Sequence, residues 1–505
     1  MFAKKQNEIR SLQERVKELE EQIIQWETII SELTLAHQQI QEENAQLREE
    51  NVQLREENRL LREENAGLKA QINQNSQNSS KPPSTDGCKK PVVKRESSGK
   101  KQGGQKGHTG HGPVLPMMKE VTIEQHTPAD CTNCPNAKIC MEKERVGETR
   151  YEQDIIVEVR TTAHQAMERE CPIQGVTLRG TFPKNISGRN QYGPNLEALA
   201  IALNTAGTVS ISRTHEILSG VFGVNISVGT IASMVSGFAK MIKVTVEEIK
   251  EAIIRAALSY FDETGMRVNG ALRWAHIACT AMLTYISMQS KRGREGMEAA
   301  GVLPYFSGIG MHDCWGPYFS FEALIHALCN AHFLRELTGV LENFKQEWAL
   351  QMITLLLEMK AAKEMLQTQG ITQASQVLID FYSATYDQII DAAKALNPIP
   401  EKEPGKRGKA KRGKVRCLID RLETYKGEVC LFFTDFTVPF DNNQAERDQR
   451  MEKVKQKVSG CFRTDQGAAD FADIWSYLST ARKHGINCFR AIATVLNGSH
   501  AFSIR

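Results

Sequence analysis

The residue pattern changes at Leu258-Ser259-Tyr260-Phe261-Asp262-Glu263-Thr264-Gly265, and the prediction of the fold class depends on this stretch. Two apolar runs follow at 274–280 and 283–288, and tight turns separate them. This pattern predicts three consecutive antiparallel strands. A further short strand is predicted to end at Asp313, and a long helical stretch is predicted from about Phe321. Strands followed by helices, with acids at the strand ends, predict an α/β nuclease-like core.

A second stretch, Asp441-Asn442-Asn443-Gln444-Ala445-Glu446-Arg447, predicts the start of a helix. If Asp441 or Asn442 caps that helix, residues at i, i+3, i+7, i+10 and i+14 share one face. These residues are Asn443, Glu446, Arg450, Lys453 and Lys457. A carboxylate beside a phosphate-sized basic stripe indicates metal-assisted chemistry on a nucleic-acid backbone. The alternative is a solvated helix with ordinary ion pairs.

The composition is that of a soluble globular protein of roughly three domains, with 505 residues, 24% charged and 41% hydrophobic. No stretch reaches the ~20 apolar residues that span a bilayer, so we predict a cytoplasmic protein that does not enter a membrane. The net charge of +3 is unevenly distributed, because residues 1–72 contain 15 acidic and 10 basic residues and carry −5. Basic residues concentrate at 89–106 and 402–416. Either run is dense enough to bind a polyanion, and the alternative for each is a solvated loop.

The N-terminal region, residues 1–73, has apolar residues spaced alternately three and four apart from Ile9 to Ile72. This pattern predicts a coiled coil of about nine heptads. The d positions are mostly leucine, and asparagine fills four a positions: Asn44, Asn51, Asn58 and Asn65. Buried asparagine at a positions favours a parallel, in-register dimer, so we predict a homodimer.

Residues 74–115 predict a flexible basic linker, and residues 116–188 predict a small zinc-ribbon-like module. A strand-like run at 151–162 lies within this module. Four thiols in about forty residues match a tetrahedral zinc site. They are Cys131, Cys134, Cys140 and Cys171. The second knuckle, Cys171-Pro172-Ile173-Gln174, lacks a second cysteine, so packed cysteines without metal are the alternative.

Residues 189–252 predict short helices separated by turns, as at 210–218 and 228–232. Two helices joined by a short turn are typical of a helix-turn-helix DNA-binding domain. A small helical bundle without DNA contact fits the same pattern.

In this order, the pieces resemble the insertion-sequence-66 family of bacterial transposases, and specifically the large catalytic protein of such elements. The resemblance covers nearly the whole chain. The motifs that carry it are the zipper, Asn78-Ser79-Ser80-Lys81-Pro82-Pro83-Ser84, Gly103-Gly104-Gln105-Lys106-Gly107-His108, the cysteine module, Asp262-Glu263-Thr264, Cys329-Asn330-Ala331-His332, 441–447, and Ser459-Gly460 before Arg463-Thr464. Two features depart from the family pattern: the incomplete second knuckle and the basic tract at 402–416.

The resemblance implies a ribonuclease-H-like catalytic domain over 253–480, with a helical insertion at 346–425 and a C-terminal element at 481–505. It implies an Asp-Asp-Glu triad, which maps here to Asp262, Asp313 and Glu446. Three such carboxylates would hold two Mg²⁺ or Mn²⁺ ions ~3.5–4 Å apart. The implied activity is cleavage at terminal inverted repeats and transfer of the freed 3′-hydroxyl to target DNA. Two small accessory proteins of the same element are implied as partners.

Further residues are candidates for contact with DNA or for a place near the active site. Candidates for positioning scissile phosphates are Asn443, Arg447, Lys453 and Lys457, and candidates for binding flanking or target DNA are Lys406, Arg407, Lys411 and Arg412. His332 is predicted near the active site, with a core histidine as the alternative. Two other functions fit the same fold: a DNA-binding regulator derived from a transposase, and a ribonuclease-H-like nuclease acting on hybrids or junctions.

Overall fold

A computed structural model describes residues 2–79, 122–126, 134–135, 145–152, 155, 157–399 and 412–504. These residues form two compact units. Of the described residues, the first unit contains 2–79, 311–315 and 326–442. The second contains those between 122 and 310, together with 316–325 and 443–504.

The first unit is mainly helical and begins with one long helix, α1 (Phe2–Ile72). Its heptad apolar residues are exposed in the single chain, as Ile9 (55%) and Leu54 (49%) show. The other helices of this unit are α7 (Asn330–Phe344), α8 (Glu347–Thr368), α9 (Gln376–Leu396), α10 (Lys414–Thr424) and α11 (Lys426–Thr434). The described residues between 346 and 425 are mainly helical, with non-helical segments at 369–375 and 397–399.

The residues after α1 pack against α7 where a glycine leaves room. A Cβ on Gly339 would lie 2.3 Å from the Asn78 carbonyl oxygen. Asn78 Nδ2 donates to Glu342 Oε2 at 3.0 Å. A side chain at position 339 would separate the two segments.

The second unit contains the three antiparallel strands that the sequence predicts: β3 (Leu258–Val268), β4 (Ala271–Cys279) and β5 (Thr284–Gln289). Val268 pairs with Ala271, so the first hairpin turns over two residues. Those residues, Asn269 and Gly270, have φ of 47° and 79°. Two positive φ values identify a type I′ turn, for which Asn-Gly is the favoured pair.

Among the described residues, these strands belong to a five-stranded sheet in the order β5-β4-β3-β6-β7. β6 is Ile309–His312 and β7 is Ile325–Leu328. A Cβ on Gly308 would lie 2.6 Å from the Ala256 carbonyl oxygen, so glycine permits the close approach just before β6. A helical N-terminal region and a mixed α/β sheet domain of this kind are consistent with a ribonuclease-H-like catalytic fold.

The prediction that a long helix begins near Phe321 is wrong about where the helix begins. Residues Gly316–Ser320 form a 3₁₀ turn, and β7 intervenes before α7 begins at Asn330. β7 has only four residues, too few for an alternating pattern to reveal it beside a long helix.

The outer edge of β5 is covered by helix α13 (Asp465–Lys483). Thr480 Oγ1 accepts the N–H of Thr284 at 3.0 Å, and Ser476 Oγ accepts the N–H of Ile286 at 2.9 Å. These hydroxyls replace a neighbouring strand, which blocks pairing of this edge with another chain.

Residues 194–254 form helices, as predicted. They are α2 (Pro194–Asn204), α3 (Ile211–Phe222), α4 (Val228–Met241) and α5 (Lys243–Ile254). Ser210 and Ser227 cap α3 and α4 by accepting backbone N–H groups. Phe238 of α4 contacts Tyr477 of α13 edge to face at 6.1 Å, so these helices share a core with the helix that covers β5.

The remaining helices of the second unit are α6 (Arg294–Ala300), α12 (Asn443–Ser459) and α14 (Cys488–Leu496). α12 packs against β3 and β4. Near its end it also holds the turn after α2: Lys455 Nζ donates to the Asn204 carbonyl at 2.7 Å, and Ser459 Oγ donates to the Thr208 carbonyl at 2.7 Å. Burial lowers the pKa of Lys455 to about 8.

The cysteine module differs from its prediction in one respect. The described residues of 151–162 are irregular, and the regular structure is a later hairpin of β1 (Glu168–Cys171) and β2 (Val176–Arg179). Ile155, Val157 and Val159 are exposed there, and strand propensity alone does not produce a strand. Cys131 and Cys140, with most of the linker, lie outside the described residues.

Within the part of the chain that the structure describes, no helix combines the length and the apolar character that crossing a membrane requires.

Candidate active site

Asp262 lies in the middle of β3 and pairs in register with Ile277 of β4. It is half-buried, and its Oδ1 accepts the N–H of Glu263 at 2.8 Å. Successive strand residues face opposite sides of a sheet, so Asp262 and Glu263 have different surroundings.

Glu263 anchors the opposite side of β3, and sequence reasoning missed it. Its carboxylate is buried and accepts Nε and Nη2 of Arg292 at 2.9 and 2.7 Å. Tyr318 donates its hydroxyl to the other carboxylate oxygen at 2.7 Å. Burial raises the pKa of Glu263, although both partners favour the charged form. Arg292 also lies over the ring of Trp274, a β4 residue, at 5.1 Å, so it contacts both β4 and the strand that carries Asp262.

Glu446 lies in the first turn of α12 and is half-buried. The helix begins at Asn443, directly after the two residues of which one is predicted to cap it, Asp441 or Asn442. On the predicted face, Asn443 and Lys457 are exposed. Arg447 is also exposed and donates to Gln444 Oε1 at 2.7 Å. Lys453 donates to the Gly265 carbonyl of β3, so this lysine fastens α12 to the strand of Asp262.

Asp448 forms a buried network two residues after Glu446. Its Oδ2 lies 2.7 Å from Lys483 Nζ, and both side chains are about one-tenth exposed (10% and 9%). Thr284 Oγ1 donates to the same oxygen at 3.1 Å, and Trp475 Nε1 donates to the Asp448 carbonyl at 3.1 Å. The network therefore joins α12 to α13 and β5.

Glu452 is a second buried acid on α12. It is 1% exposed, and among the described residues neither carboxylate oxygen has a hydrogen-bond partner. Burial is the main cause that raises the pKa of Glu452 well above its usual range. The folded protein therefore keeps a proton that the unfolded chain releases.

We expect Glu452→Gln to stabilise the protein increasingly as pH rises from 5 to 8. An acid with a raised folded pKa loses stability as pH rises above its unfolded value, by about 1.4 kcal/mol for each pH unit up to the folded pKa. Glutamine does not ionise and escapes this loss. Urea unfolding of variant and wild type at each pH measures the difference, and Glu295→Gln, at an exposed acid of α6, is the control. A difference that stays constant with pH would contradict the prediction.

Asp313 belongs to the first unit, directly after β6. Its Oδ1 accepts the N–H of Trp315 at 3.1 Å. The preceding residue, His312, is buried and lies 2.9 Å from His326 between Nε2 and Nδ1. Burial lowers the pKa of His312 to about 3, so this histidine is neutral. His332 lies in the first turn of α7, and its backbone N–H donates to the Cys329 carbonyl at 3.2 Å.

Of the four candidate DNA contacts in the basic tract, Arg412 lies within the described residues, and Lys406, Arg407 and Lys411 lie outside them. Arg412 pairs with Asp420. Cys134 and Cys171 are described and form no disulfide.

Within the described ranges, no group of three or more His, Cys, Asp or Glu side chains is arranged to hold a metal ion. Asp262, Asp313 and Glu446 fit magnesium by donor type, because all three are carboxylates. Asp262 and Glu446 lie in one unit, on a strand and a helix that pack together.

A sheet of this strand order, with one acid on its central strand and another on the helix packed beside it, is consistent with a ribonuclease-H-like catalytic fold. A family model described as "Transposase IS66 family" matches residues 189–470. The chain belongs to this family, which confirms the resemblance seen in its motifs and implies a transposase role. A second model, for a family of unknown function (DUF6444), matches residues 31–113. Comparison with curated proteins gives no match.

Proposed function

We propose that this protein is the Asp-Asp-Glu transposase of an insertion sequence, cutting DNA at terminal inverted repeats and joining the freed 3′-hydroxyl to target DNA. The observation that carries the proposal is the placement of Asp262 and Glu446 on packed elements of one unit in a chain of the transposase family. Asp313, directly after β6, is the proposed third acid. Acting on chromosomal and element DNA places the protein at the nucleoid.

Asp262, Asp313 and Glu446 would hold two divalent ions, Mg²⁺ or Mn²⁺. Bound ions would activate the attacking oxygen and stabilise the leaving oxygen at phosphorus. Glu263 and its partners Arg292 and Tyr318 keep β3 in place beneath Asp262. Lys453, through the Gly265 carbonyl, keeps α12 beside that strand. Binding of the ions would therefore require little movement of β3 or α12.

Asn443, Arg447 and Lys457 are the proposed contacts to phosphates around the scissile bond, since all three are exposed on the helix of Glu446. Lys453 has the same proposed role, in addition to its bond to Gly265. The tract with Lys406, Arg407, Lys411 and Arg412 is the proposed contact to flanking or target DNA. Removing one phosphate contact lowers the salt dependence of binding by about one unit of slope, so Lys457→Ala measured over a salt series tests this assignment. An unchanged slope would contradict it.

The proposed active form is a dimer that joins two element ends through α1. The exposed heptad residues of this helix need a partner, and asparagines at four a positions favour a second parallel copy. We expect the full chain to sediment as a dimer at micromolar concentration and a chain lacking residues 2–72 to sediment as a monomer. A dimer that survives the deletion would rule out the zipper as the main contact. Two accessory proteins remain proposed partners.

The cysteine module is proposed to bind one zinc ion through Cys131, Cys134, Cys140 and Cys171. The absence of disulfides at Cys134 and Cys171 keeps both thiols available. Metal analysis should give about one zinc per chain, lost in Cys171→Ser and retained in Cys488→Ser, a change at a buried cysteine of α14. Zinc-free wild-type protein would refute the proposal.

Two alternatives have their own outcomes. A DNA-binding regulator would bind end DNA without cutting it. A nuclease for hybrids would cut an RNA–DNA hybrid faster than a duplex that carries the inverted repeats. An assay of both substrates with Mg²⁺ should show cutting and joining of the duplex. Cutting of the hybrid alone, or binding without cutting, would overturn the transposase proposal.

A further inference from the structure

The motif Cys329-Asn330-Ala331-His332 lies where β7 ends and α7 begins, in the first unit. Cys329 is 1% exposed and bonds to two distant segments of the chain. Its N–H donates to the carbonyl of His312 at 2.9 Å, one residue before Asp313. Its Sγ accepts the N–H of Asn442 at 3.1 Å, one residue before α12 begins. The side chain and the backbone amide of Cys329 thus connect the residue before Asp313 to the residue before α12, the helix that carries Glu446.

Asn330 extends this connection. Its N–H donates to the Phe440 carbonyl at 3.1 Å, and its Nδ2 donates to the Val429 carbonyl of α11 at 3.0 Å. It is fully buried (0% exposed), so these bonds do not exchange with water.

The segment held in this way, residues 438–442, is bound at every second residue. Lys363 Nζ donates to the Val438 carbonyl at 2.5 Å, Asn330 holds the Phe440 carbonyl, and Cys329 holds the Asn442 amide. The Phe440 ring also packs edge to face on Phe432 at 4.9 Å. A segment without regular secondary structure is therefore fixed at three points, whereas connecting segments are generally more mobile than the elements they join.

We propose that Cys329 and Asn330 are positioning residues that fix the backbone entering α12 to the backbone entering Asp313. The proposal rests on the proposed function, because it assumes that Asp313 and Glu446 act together. Sulfur suits the role, since it is larger than oxygen and accepts an N–H over a longer distance than serine spans. Loss of the bond would let the start of α12 move, and misplacement of a catalytic group by about 1 Å costs about 100-fold in rate.

We call the hydrogen bonds of Cys329 and Asn330 to His312, Phe440 and Asn442 the clamp. Hydrogen exchange of the full-length protein tests the clamp without any activity assay. Cys329→Ala should speed exchange of the amides at 440–443 by at least tenfold, and Cys329→Ser should restore part of the protection. Cys488 is the matched control, since it is also buried and its Sγ accepts Nε of Arg482 at 3.0 Å. Cys488→Ala should leave exchange at 440–443 unchanged. Equal protection of 440–443 in wild type and Cys329→Ala would overturn the proposal.

Cleavage of end DNA tests the positioning role. We expect Cys329→Ala to lower kcat roughly 10–100-fold and to raise the Mg²⁺ concentration for half-maximal rate several-fold, with unchanged affinity for end DNA. Cys329→Ser should recover part of both, and Cys488→Ala should change neither. A wild-type Mg²⁺ response in Cys329→Ala would overturn the proposal, even with a lower melting temperature. If the wild-type protein cuts no end DNA, the proposed function fails, and the exchange measurement then decides on the clamp by itself.

Discussion

Glu446→Gln should abolish cutting and joining of end DNA, with a loss of at least about 1,000-fold, or about 4 kcal/mol in activation free energy. Glutamine keeps the size and the hydrogen-bonding oxygen but removes the charge that a divalent ion requires. Glu446 is half-buried in the first turn of α12, so the substitution introduces no cavity and leaves the helix intact. A gel assay of cleavage and strand transfer, with end-DNA binding measured in parallel, gives the result.

Binding of end DNA should stay within about threefold of wild type, because the proposed phosphate contacts are other residues of the helix. Glu295→Gln is the matched control, since it removes one charge from an exposed acid of α6 in the same unit. Its activity should equal that of wild type. Undiminished joining by Glu446→Gln would remove this residue from the site and leave the fold assignment intact.

Lys483→Met should destabilise the second unit by about 3–5 kcal/mol, the usual cost of leaving one buried charge without its partner. Lys483 Nζ donates to Asp448 Oδ2 at 2.7 Å and to the carbonyls of Thr280 and Leu283, each at 2.8 Å. Methionine fills the space but leaves the buried carboxylate of Asp448 without a cation to balance its charge. At roughly 2–4 °C per kcal/mol, the melting temperature should fall by about 10 °C.

A second substitution distinguishes the charge effect from a packing effect. Asp448→Asn combined with Lys483→Met removes both charges and should recover at least about 2 kcal/mol. Lys243→Met is the exposed counterpart, since its pair with Asp473 at 2.9 Å leaves the lysine 52% exposed. It should cost less than about 1 kcal/mol. Equal losses for Lys243→Met and Lys483→Met would show that burial of the Asp448 pair contributes nothing.

The parts of the fold that the sequence predicts correctly are those with a long repeating pattern. The strands around Asp262 alternate over enough residues to be recognised, and α1 repeats its heptad to Ile72. β7 has four residues, and nothing local distinguishes it from the start of α7. The run at 151–162 has strand propensity but is irregular where it is described, and a pattern along one chain does not reveal this.

The same distinction holds for the candidate site. Asp262 and Glu446 lie on a strand and in a first helical turn, as their local sequences predict. Glu263, Asp448 and Lys483 were missed, because a buried charge is recognised only by a partner that is distant in sequence. Lys453 shows the opposite effect: it fits a basic stripe in sequence, yet in the fold it bonds to the Gly265 carbonyl.

The hydrogen bonds from α12 to the turn after α2 affect how variants in that turn behave in a genetic screen. Lys455 and Ser459 donate hydrogen bonds to the carbonyls of Asn204 and Thr208, so the helix that carries Glu446 also supports a turn 251 residues earlier in the chain. A substitution in that turn would disturb the support of the helix with the proposed catalytic acid Glu446 without touching DNA. A screen that scores only transposition would therefore count such variants with those that have lost DNA recognition, and only a separate binding assay sorts the two groups.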